Sequence, residues 1–344
     1  MSESATGAGD PEFTPLRVGR VVPETHDTIS LVLDIPAAQR DRFRYRAGQY
    51  LTVRVRVAGR EHQRCYSMSS SPVLHEGLRI TVKRERDGLV SNWLHDTVAV
   101  GDAVEAAAPR GRFVLAESDR PLVAFAGGSG ITPVFSLLRT ALARTERPVR
   151  LFYANRDSRS VIFAEPLDRL AQRHGDRLLL HHHLDADAGL VAPSQLAAFT
   201  VGADDADYYV CGPAPFMDAV ENTLIALGTA PERIRLERFR TELPGDPGPT
   251  GDPVTEQVVV QVGRRRATVG YRSGSTLLQV ARAAGLRPPS SCETGSCGTC
   301  IARVTEGRVR LLNNDVLTDE ELAEGLTLTC QSLPIGPTVR VIWE

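Results

Sequence analysis

Three cysteines in one short loop carry the most distinctive chemistry of this chain. Cys292-Glu293-Thr294-Gly295-Ser296-Cys297-Gly298-Thr299-Cys300 sets them in a C-x4-C-x2-C spacing, and Cys330 follows at a distance. This spacing with a remote fourth thiolate is one that wraps a 2Fe-2S cluster. Soft thiolates suit iron–sulfur centres, and so short a loop closes round one only if its backbone bends sharply. Gly295 and Gly298 permit the dihedrals such a wrap needs, and small Ser296 and Thr299 let backbone amides approach the sulfides. Two other uses of cysteine fit less well. Structural zinc usually takes two C-x2-C pairs. Stable disulfides belong to oxidising compartments. The opening MSESATGAGD has neither the charged nor the apolar region of a secretory signal, so a cytoplasmic location is expected.

Four further stretches have the composition of cofactor sites. In Arg64-Cys65-Tyr66-Ser67, strand alternation puts Arg64 and Tyr66 on one side. The guanidinium can pair with a phosphate, the ring can cover a flavin, and the Ser67 hydroxyl can lie near the flavin N5. Gly88-Leu89-Val90-Ser91 is a glycine turn leading into a helix expected to start at Ser91, which makes an anion site. Taken singly, Ser91 reads as a helix cap and Arg64 as a surface ion pair; their co-occurrence favours a flavin. Lys83, the only lysine, ends the preceding strand and joins the cofactor-binding candidates. The apolar run Leu122–Ala126 leads into Gly127-Gly128-Ser129-Gly130-Ile131-Thr132-Pro133, a strand, a glycine turn and a helix start where amides bind pyrophosphate. The turn is not G-x-G-x-x-G. Asn155 and Arg156 end the next strand, and Cys211-Gly212-Pro213 ends another, where ligand crevices form. No local His or Asp partner suggests that Cys211 acts as a covalent nucleophile. His181, His182 and His183 face alternate ways on a strand, so they do not converge on a metal.

The elements that must position these residues fall into blocks. The chain has 344 residues, enough for two or three domains, and 42% apolar residues, enough for proper cores. A net charge of −2 gives no sign of nucleic-acid binding. No apolar run reaches the roughly 18 residues of a membrane span. Residues 1–12 read as a disordered leader. Residues 13–114 alternate apolar and polar positions in short strands, as in an antiparallel barrel. Residues 121–240 alternate strand and helix, as in a doubly wound α/β sheet. Residues 241–256 hold four prolines and three glycines and read as a linker. Residues 257–344 show a hairpin, an amphipathic helix over Thr276–Gly285, the cysteine loop, and a last strand, an α+β unit.

Taken in order, these motifs resemble ferredoxin–NADP reductase-type flavoproteins with a C-terminal plant-type ferredoxin domain. The similarity extends to reductase components of multicomponent oxygenases, such as those of 3-ketosteroid 9α-hydroxylase and phenylacetyl-CoA epoxidase. The family's R-x-Y-S flavin motif matches Arg64, Tyr66 and Ser67, and its second phosphate motif matches Gly88 and Ser91. Its nucleotide turn matches Gly127, Gly128, Gly130, Ile131, Thr132 and Pro133. Its C-G-P motif matches Cys211, Gly212 and Pro213, and its E-x-F matches Glu237 and Phe239. Its cluster ligands match Cys292, Cys297, Cys300 and Cys330. The resemblance implies a Greek-key flavin barrel, a nucleotide domain and a β-grasp ferredoxin. It also implies FAD, since relatives that use FMN carry a different second motif.

The implied chemistry takes hydride from NADH or NADPH onto the flavin and sends electrons singly through the cluster. A plant-type cluster sits near about −400 mV, which suits a terminal oxygenase, hydroxylase or desaturase as acceptor. Ser67 and Cys211 are expected to orient and polarise rather than ionise. Asp157, beside Arg156, opposes a 2′-phosphate and tilts the expectation to NADH. Two other functions remain open: a non-catalytic flavin and iron–sulfur redox sensor, and a flavin reductase acting directly on small molecules.

Overall fold

The computed structural model describes residues 13–57, 59–74, 76–86, 88–239, 255–271, 274–290, 295, 298–312, 314 and 316–343. Two compact units are present, Met1–Phe239 and Arg240–Glu344. Cys292, Cys297 and residues 241–254 of the expected linker lie outside the described residues.

The first unit begins with a barrel of β1 (Phe13–Thr25), β2 (Thr28–Asp34), β3 (Tyr50–Val57), β4 (Arg60–Ser67), β5 (Leu78–Lys83), helix α1 (Leu89–Thr97) and β6 (Ala103–Ala107). The strand order is β4-β3-β6-β1-β2-β5, antiparallel at every pairing. Beyond Ser67 the chain runs on to β5: Met68 bridges Ile80, and the Ser69 N–H donates to the Arg79 carbonyl at 2.8 Å. The two edges thereby meet and the barrel closes, which protects them. Alternation on β3 explains the pattern. Leu51, Val53 and Val55 enter the core with Leu16, Leu31 and Ile80, each contributing about 1.5–3 kcal/mol by burial. Arg54, between them, reaches across to Glu105 with two bonds of 3.0 and 3.1 Å.

The nucleotide half follows as β7 (Leu122–Gly127), α2 (Ile131–Arg144), β8 (Val149–Asn155), α3 (Ala164–Arg173), β9 (Leu178–Leu184), α4 (Asp185–Ala188), α5 (Pro193–Thr200), β10 (Asp207–Cys211), α6 (Ala214–Ala226) and β11 (Ile234–Glu237). Its order β11-β10-β7-β8-β9 is parallel throughout. Every residue of β7 is buried, as a central strand covered on both faces requires. Leu122, Ala124 and Ala126 pack under α2 and α3, and Val123 and Phe125 under α5 and α6. The chain moves from β7 to β8 and β9, then returns to β10 on the other side. The switch point, where such folds bind ligands, therefore lies between the ends of β7 and β10. At the opposite end of the sheet, buried Asp207 pairs with buried Arg147 at 3.5 Å. Polar bonds join the barrel to α2: Ser136 Oγ donates to the Ser70 carbonyl at 2.6 Å, and Ser71 and Thr140 share a hydroxyl contact of 2.8 Å.

The second unit comprises β12 (Gln257–Val262), β13 (Arg265–Gly270), α7 (Leu277–Ala283), β14 (Ile301–Leu311), α8 (Asp319–Ala323), β15 (Leu326–Leu328) and β16 (Ser332–Trp343). The order is β13-β12-β16-β14-β15, with β12 parallel to β16 and the other pairs antiparallel. This mixed sheet packs one face on α7, the arrangement of a β-grasp fold. A reciprocal cap of Thr276 and Gln279 starts α7. Thr255 and Glu256, read as the end of the linker, bond to the carbonyls of Pro334 and Pro337.

Some elements differ from the sequence expectation. Helix α1 starts at Leu89 with Gly88 as its cap residue, not at Ser91. Strands β6 and β11 and helix α5 had no legible pattern. Ala103–Ala107 is mostly alanine, which carries little strand preference of its own.

Candidate active site

At the switch point the glycine turn and the end of β10 touch. A methyl group on Gly130 would lie 2.1 Å from the Cys211 carbonyl oxygen, so no other residue fits there. No side chain caps the start of α2. The Ile131 N–H bonds back to the carbonyls of Gly128 and Ser129, and the positive end of the helix dipole faces the turn, where an anion is stabilised. One buried hydroxyl steadies the turn. Tyr153 donates to the Gly128 carbonyl at 3.2 Å and accepts from the Ile162 N–H at 3.1 Å. Ile131, Thr132 and Pro133 are buried behind it, and Thr132 donates to the Ser129 carbonyl at 3.0 Å. Cys211 is fully buried and paired in register with Glu237. Burial first, and the Glu237 charge second, push its thiol well above the ordinary value, so it stays protonated. Asn155 is buried beside the Tyr153 hydroxyl.

The barrel brings a second set to the end of β4. Arg64 is exposed and donates only locally, to the Gln63 carbonyl at 2.8 Å. Cys65 sits 3.6 Å from the Thr52 hydroxyl. Burial raises the Tyr66 phenol, which therefore remains neutral. Ser67 is 3% exposed and its hydroxyl has no hydrogen-bond partner among the described residues. A buried unpaired hydroxyl costs about 1–3 kcal/mol, so a polar ligand edge that pairs with it fits this position. Helix α1 begins without a side-chain cap. Ser91 is not that cap: its Oγ accepts from the Glu85 N–H at 3.1 Å and donates to the Gly88 carbonyl at 3.3 Å. The hydroxyl thus braces the loop, and the N–H groups of Leu89 and Val90 are left at the helix start. An exposed guanidinium, an uncapped helix start and an unpaired hydroxyl together suit a flat ligand carrying phosphates. Lys83 links the two halves, with Nζ 3.8 Å from Asp27 Oδ2 and 4.0 Å from where a Gly128 side-chain carbon would stand.

In the second unit Cys300 and Cys330 are each 2% exposed and share one small apolar core with Leu278, Leu317 and Leu328. Thr329 stitches the two segments: its hydroxyl donates to the Cys300 carbonyl at 2.8 Å. Gly295 and Gly298 take φ values of +88° and +72°, conformations that side-chain-bearing residues avoid. Two thiols meeting in a buried core beside a loop of this geometry fit a cluster, with Cys292 and Cys297 beyond the described residues.

Three family models match in succession: an oxidoreductase FAD-binding domain over residues 15–115, an oxidoreductase NAD-binding domain over 125–222, and a 2Fe-2S iron-sulfur cluster binding domain over 260–334. The ferredoxin reductase component of 3-ketosteroid-9-alpha-monooxygenase from Mycobacterium tuberculosis is 40% identical over 342 residues, spanning 96% of this chain and 95% of that protein. One of the subunits of 1,2-phenylacetyl-CoA epoxidase from Escherichia coli is 33% identical, spanning 96% of this chain and 98% of that protein. The chain belongs to the ferredoxin reductase-type flavoproteins that carry a C-terminal 2Fe-2S domain. The solved structure of phthalate dioxygenase reductase superposes on this reductase with a TM-score of 0.67 at 25% identity, over 96% of this chain and 98% of that one. The protein is thus an NAD(P)H oxidoreductase of the electron-transfer type, with FAD, a nicotinamide nucleotide and a 2Fe-2S cluster as its cofactors.

Other residues of this reductase have partners that the sequence did not indicate. The Arg156 guanidinium lies 3.5 Å from Asp27 of the barrel. Asp157 accepts from both the N–H and the hydroxyl of Ser160 at 3.0 Å, and these bonds hold its carboxyl below the usual range. Phe239 is 39% exposed beyond β11, while Arg238 beside it pairs with Asp218 and Glu221. The histidine run takes separate partners: His181 packs on Phe152, His182 on Tyr153, and buried His183 donates to the Gly189 carbonyl. Asp27 and Tyr153 had no signal in the sequence strong enough to single them out for a role, and Glu237 was legible only as the first residue of the E-x-F motif. Their importance arises only when folding brings separate strand ends together.

Proposed function

We propose that this reductase feeds electrons from a nicotinamide nucleotide, one at a time, to a separate terminal oxygenase, hydroxylase or desaturase. The single observation that carries the path is the junction at the switch point. The nucleotide turn, Cys211 and the cation that ends β5 meet within a few ångströms, so the two cofactor sites share one crevice. Arg64 and the α1 start at Gly88–Ser91 hold the flavin phosphates, Tyr66 and Cys65 flank the ring, and Ser67 donates to its reacting edge. Gly127 to Pro133 hold the nucleotide diphosphate, with Lys83, Asn155 and Arg156 along its length. Cys211, Gly212 and Pro213 border the nicotinamide, and Phe239 covers the flavin. Cys292, Cys297, Cys300 and Cys330 hold the cluster. When bound, the nicotinamide supplies hydride, FAD accepts it, and the 2Fe-2S cluster passes electrons on singly. Cys211 remains a thiol and moves no proton, and hydride transfer needs no base.

The nucleotide is NADH, because Asp157, held ionised at the end of β8, repels a 2′-phosphate. The functional domains are residues 13–114, 121–240 and 257–344. The reductase works in the cytoplasm; among the described residues no helix is long and apolar enough to cross a membrane. Cys330→Ser tests the path. The variant should keep NADH-driven reduction of ferricyanide, which can draw on the flavin, and lose reduction of cytochrome c. Unchanged cytochrome c reduction would instead favour direct reduction of small molecules by the flavin.

A further inference from the structure

Asp27 sits in the turn between β1 and β2, on the barrel side of the crevice, and its carboxylate has an unusual set of partners. Oδ1 accepts from the Thr25 hydroxyl at 2.8 Å and the Thr28 hydroxyl at 3.1 Å. Oδ2 faces two cations, Arg156 at 3.5 Å and Lys83 at 3.8 Å, and the His26 ring at 3.7 Å. Burial works against its charge, yet the bonds from Thr25 and Thr28 and the Lys83 charge outweigh it and hold the carboxyl below its usual range. One of these cations ends β5 of the barrel, and Arg156 follows β8 of the nucleotide half. Lys83 stands over Gly128, in the turn assigned above to the diphosphate. A single oxygen therefore faces both Lys83, which stands over that turn, and Arg156, which follows the neighbouring strand.

We propose that Asp27 is a positioning residue that competes with the nucleotide diphosphate for Lys83 and Arg156. Resting on the nucleotide site proposed above, binding is an exchange of anions. The diphosphate displaces Oδ2, while Oδ1 keeps the turn in place through Thr25 and Thr28. The competing carboxylate lowers affinity and returns to the cations when the oxidised nucleotide leaves. Because one anion replaces another, binding gathers and releases few salt ions, and its salt dependence is shallow.

The asparagine variant isolates the charge, since its side-chain oxygen still accepts from Thr25 and Thr28. ADP-ribose carries the diphosphate and is redox-inert, so calorimetry on the FAD-loaded protein reads binding alone. Asp27→Asn should bind ADP-ribose roughly 5- to 10-fold tighter at low salt, as expected for removing one charge a few ångströms from the site. Its affinity should also fall more steeply with added salt than that of the natural protein. Lys83→Ala should bind more weakly, and the gain from Asp27→Asn should shrink in the Lys83→Ala background. Weaker or unchanged binding by Asp27→Asn, while Lys83→Ala weakens, would overturn the competition and leave the nucleotide site standing. Unchanged binding in both Lys83→Ala and Arg156→Ala would overturn the inference together with that site. A purely structural Asp27 predicts a lower Tm and weaker binding, the opposite sign.

Discussion

Replacing Ser67 with alanine should stabilise the FAD-free protein and reduce the further stabilisation that FAD confers. The Ser67 hydroxyl is buried without a hydrogen-bond partner among the described residues. Such a group destabilises the fold by about 1–3 kcal/mol. Alanine removes the oxygen and leaves the barrel wall otherwise intact. For a unit of this size each kcal/mol moves Tm by about 2–4 °C. The FAD-free variant should thus melt roughly 2–12 °C higher than the natural protein. With FAD bound, the hydroxyl is paired, and its loss costs about 1 kcal/mol of flavin binding. The increment in Tm that FAD confers should therefore shrink in the variant. If the hydroxyl bonds more strongly as charge arrives on the flavin, hydride transfer should slow by about 10- to 100-fold, at 1.36 kcal/mol per decade. Differential scanning of both forms, with anaerobic stopped-flow following flavin bleaching, reads all three quantities. A Ser67→Ala protein that melts lower without FAD, or gains as much from FAD as the natural protein, would refute the reasoning.

Gly130→Ala forces a methyl group to within 2.1 Å of the Cys211 carbonyl oxygen, and its backbone at φ −61° suits alanine, so only the clash is tested. Overpacking of this kind costs about 1–3 kcal/mol, and displacing the turn by about an ångström can lower kcat/KM for NADH roughly 100-fold; Tm and steady-state kinetics read both. Asp207→Ala leaves the Arg147 charge, 1% exposed at its side chain, with the Ser118 carbonyl but no carboxylate, and should destabilise the first unit by about 3–5 kcal/mol in denaturant titration with an unchanged FAD spectrum. The Cys211 thiol has a raised value in the fold and about 8.5 in the unfolded chain. Stability should thus be lost as pH rises above about 8.5, where only the unfolded chain releases the proton. Cys211→Ser should show a shallower alkaline decline of Tm.

Much of this architecture was legible because each motif is local and its physics is repetitive. The alternation of Leu51 to Val57 and the continuous apolar run of Leu122 to Ala126 each identify a strand and its surroundings. The glycines at 295 and 298 mark a sharply bent loop, and both adopt positive φ. Less was legible where a residue's role depends on a distant partner. Ser91 could be placed at a helix start, but its bond to the Glu85 N–H depends on how the loop folds back. Arg156 could be assigned to the nucleotide half, but its contact with Asp27 crosses to a turn near the start of the barrel. Glu237 could be matched to a motif, but its neighbour Cys211 is set by the register of β10 and β11. Such partners follow from topology, which no single stretch of sequence contains.

The central claim is that electrons pass from the nucleotide through the flavin to the cluster. Its most direct test is an anaerobic titration of the purified protein followed by visible spectroscopy, with NADH in one cuvette and NADPH in another. The account predicts flavin bands and a broad iron–sulfur shoulder, both bleached, with NADH acting at lower concentration. Flavin bands that bleach while the shoulder persists would contradict it, because the electrons would then stop at the flavin.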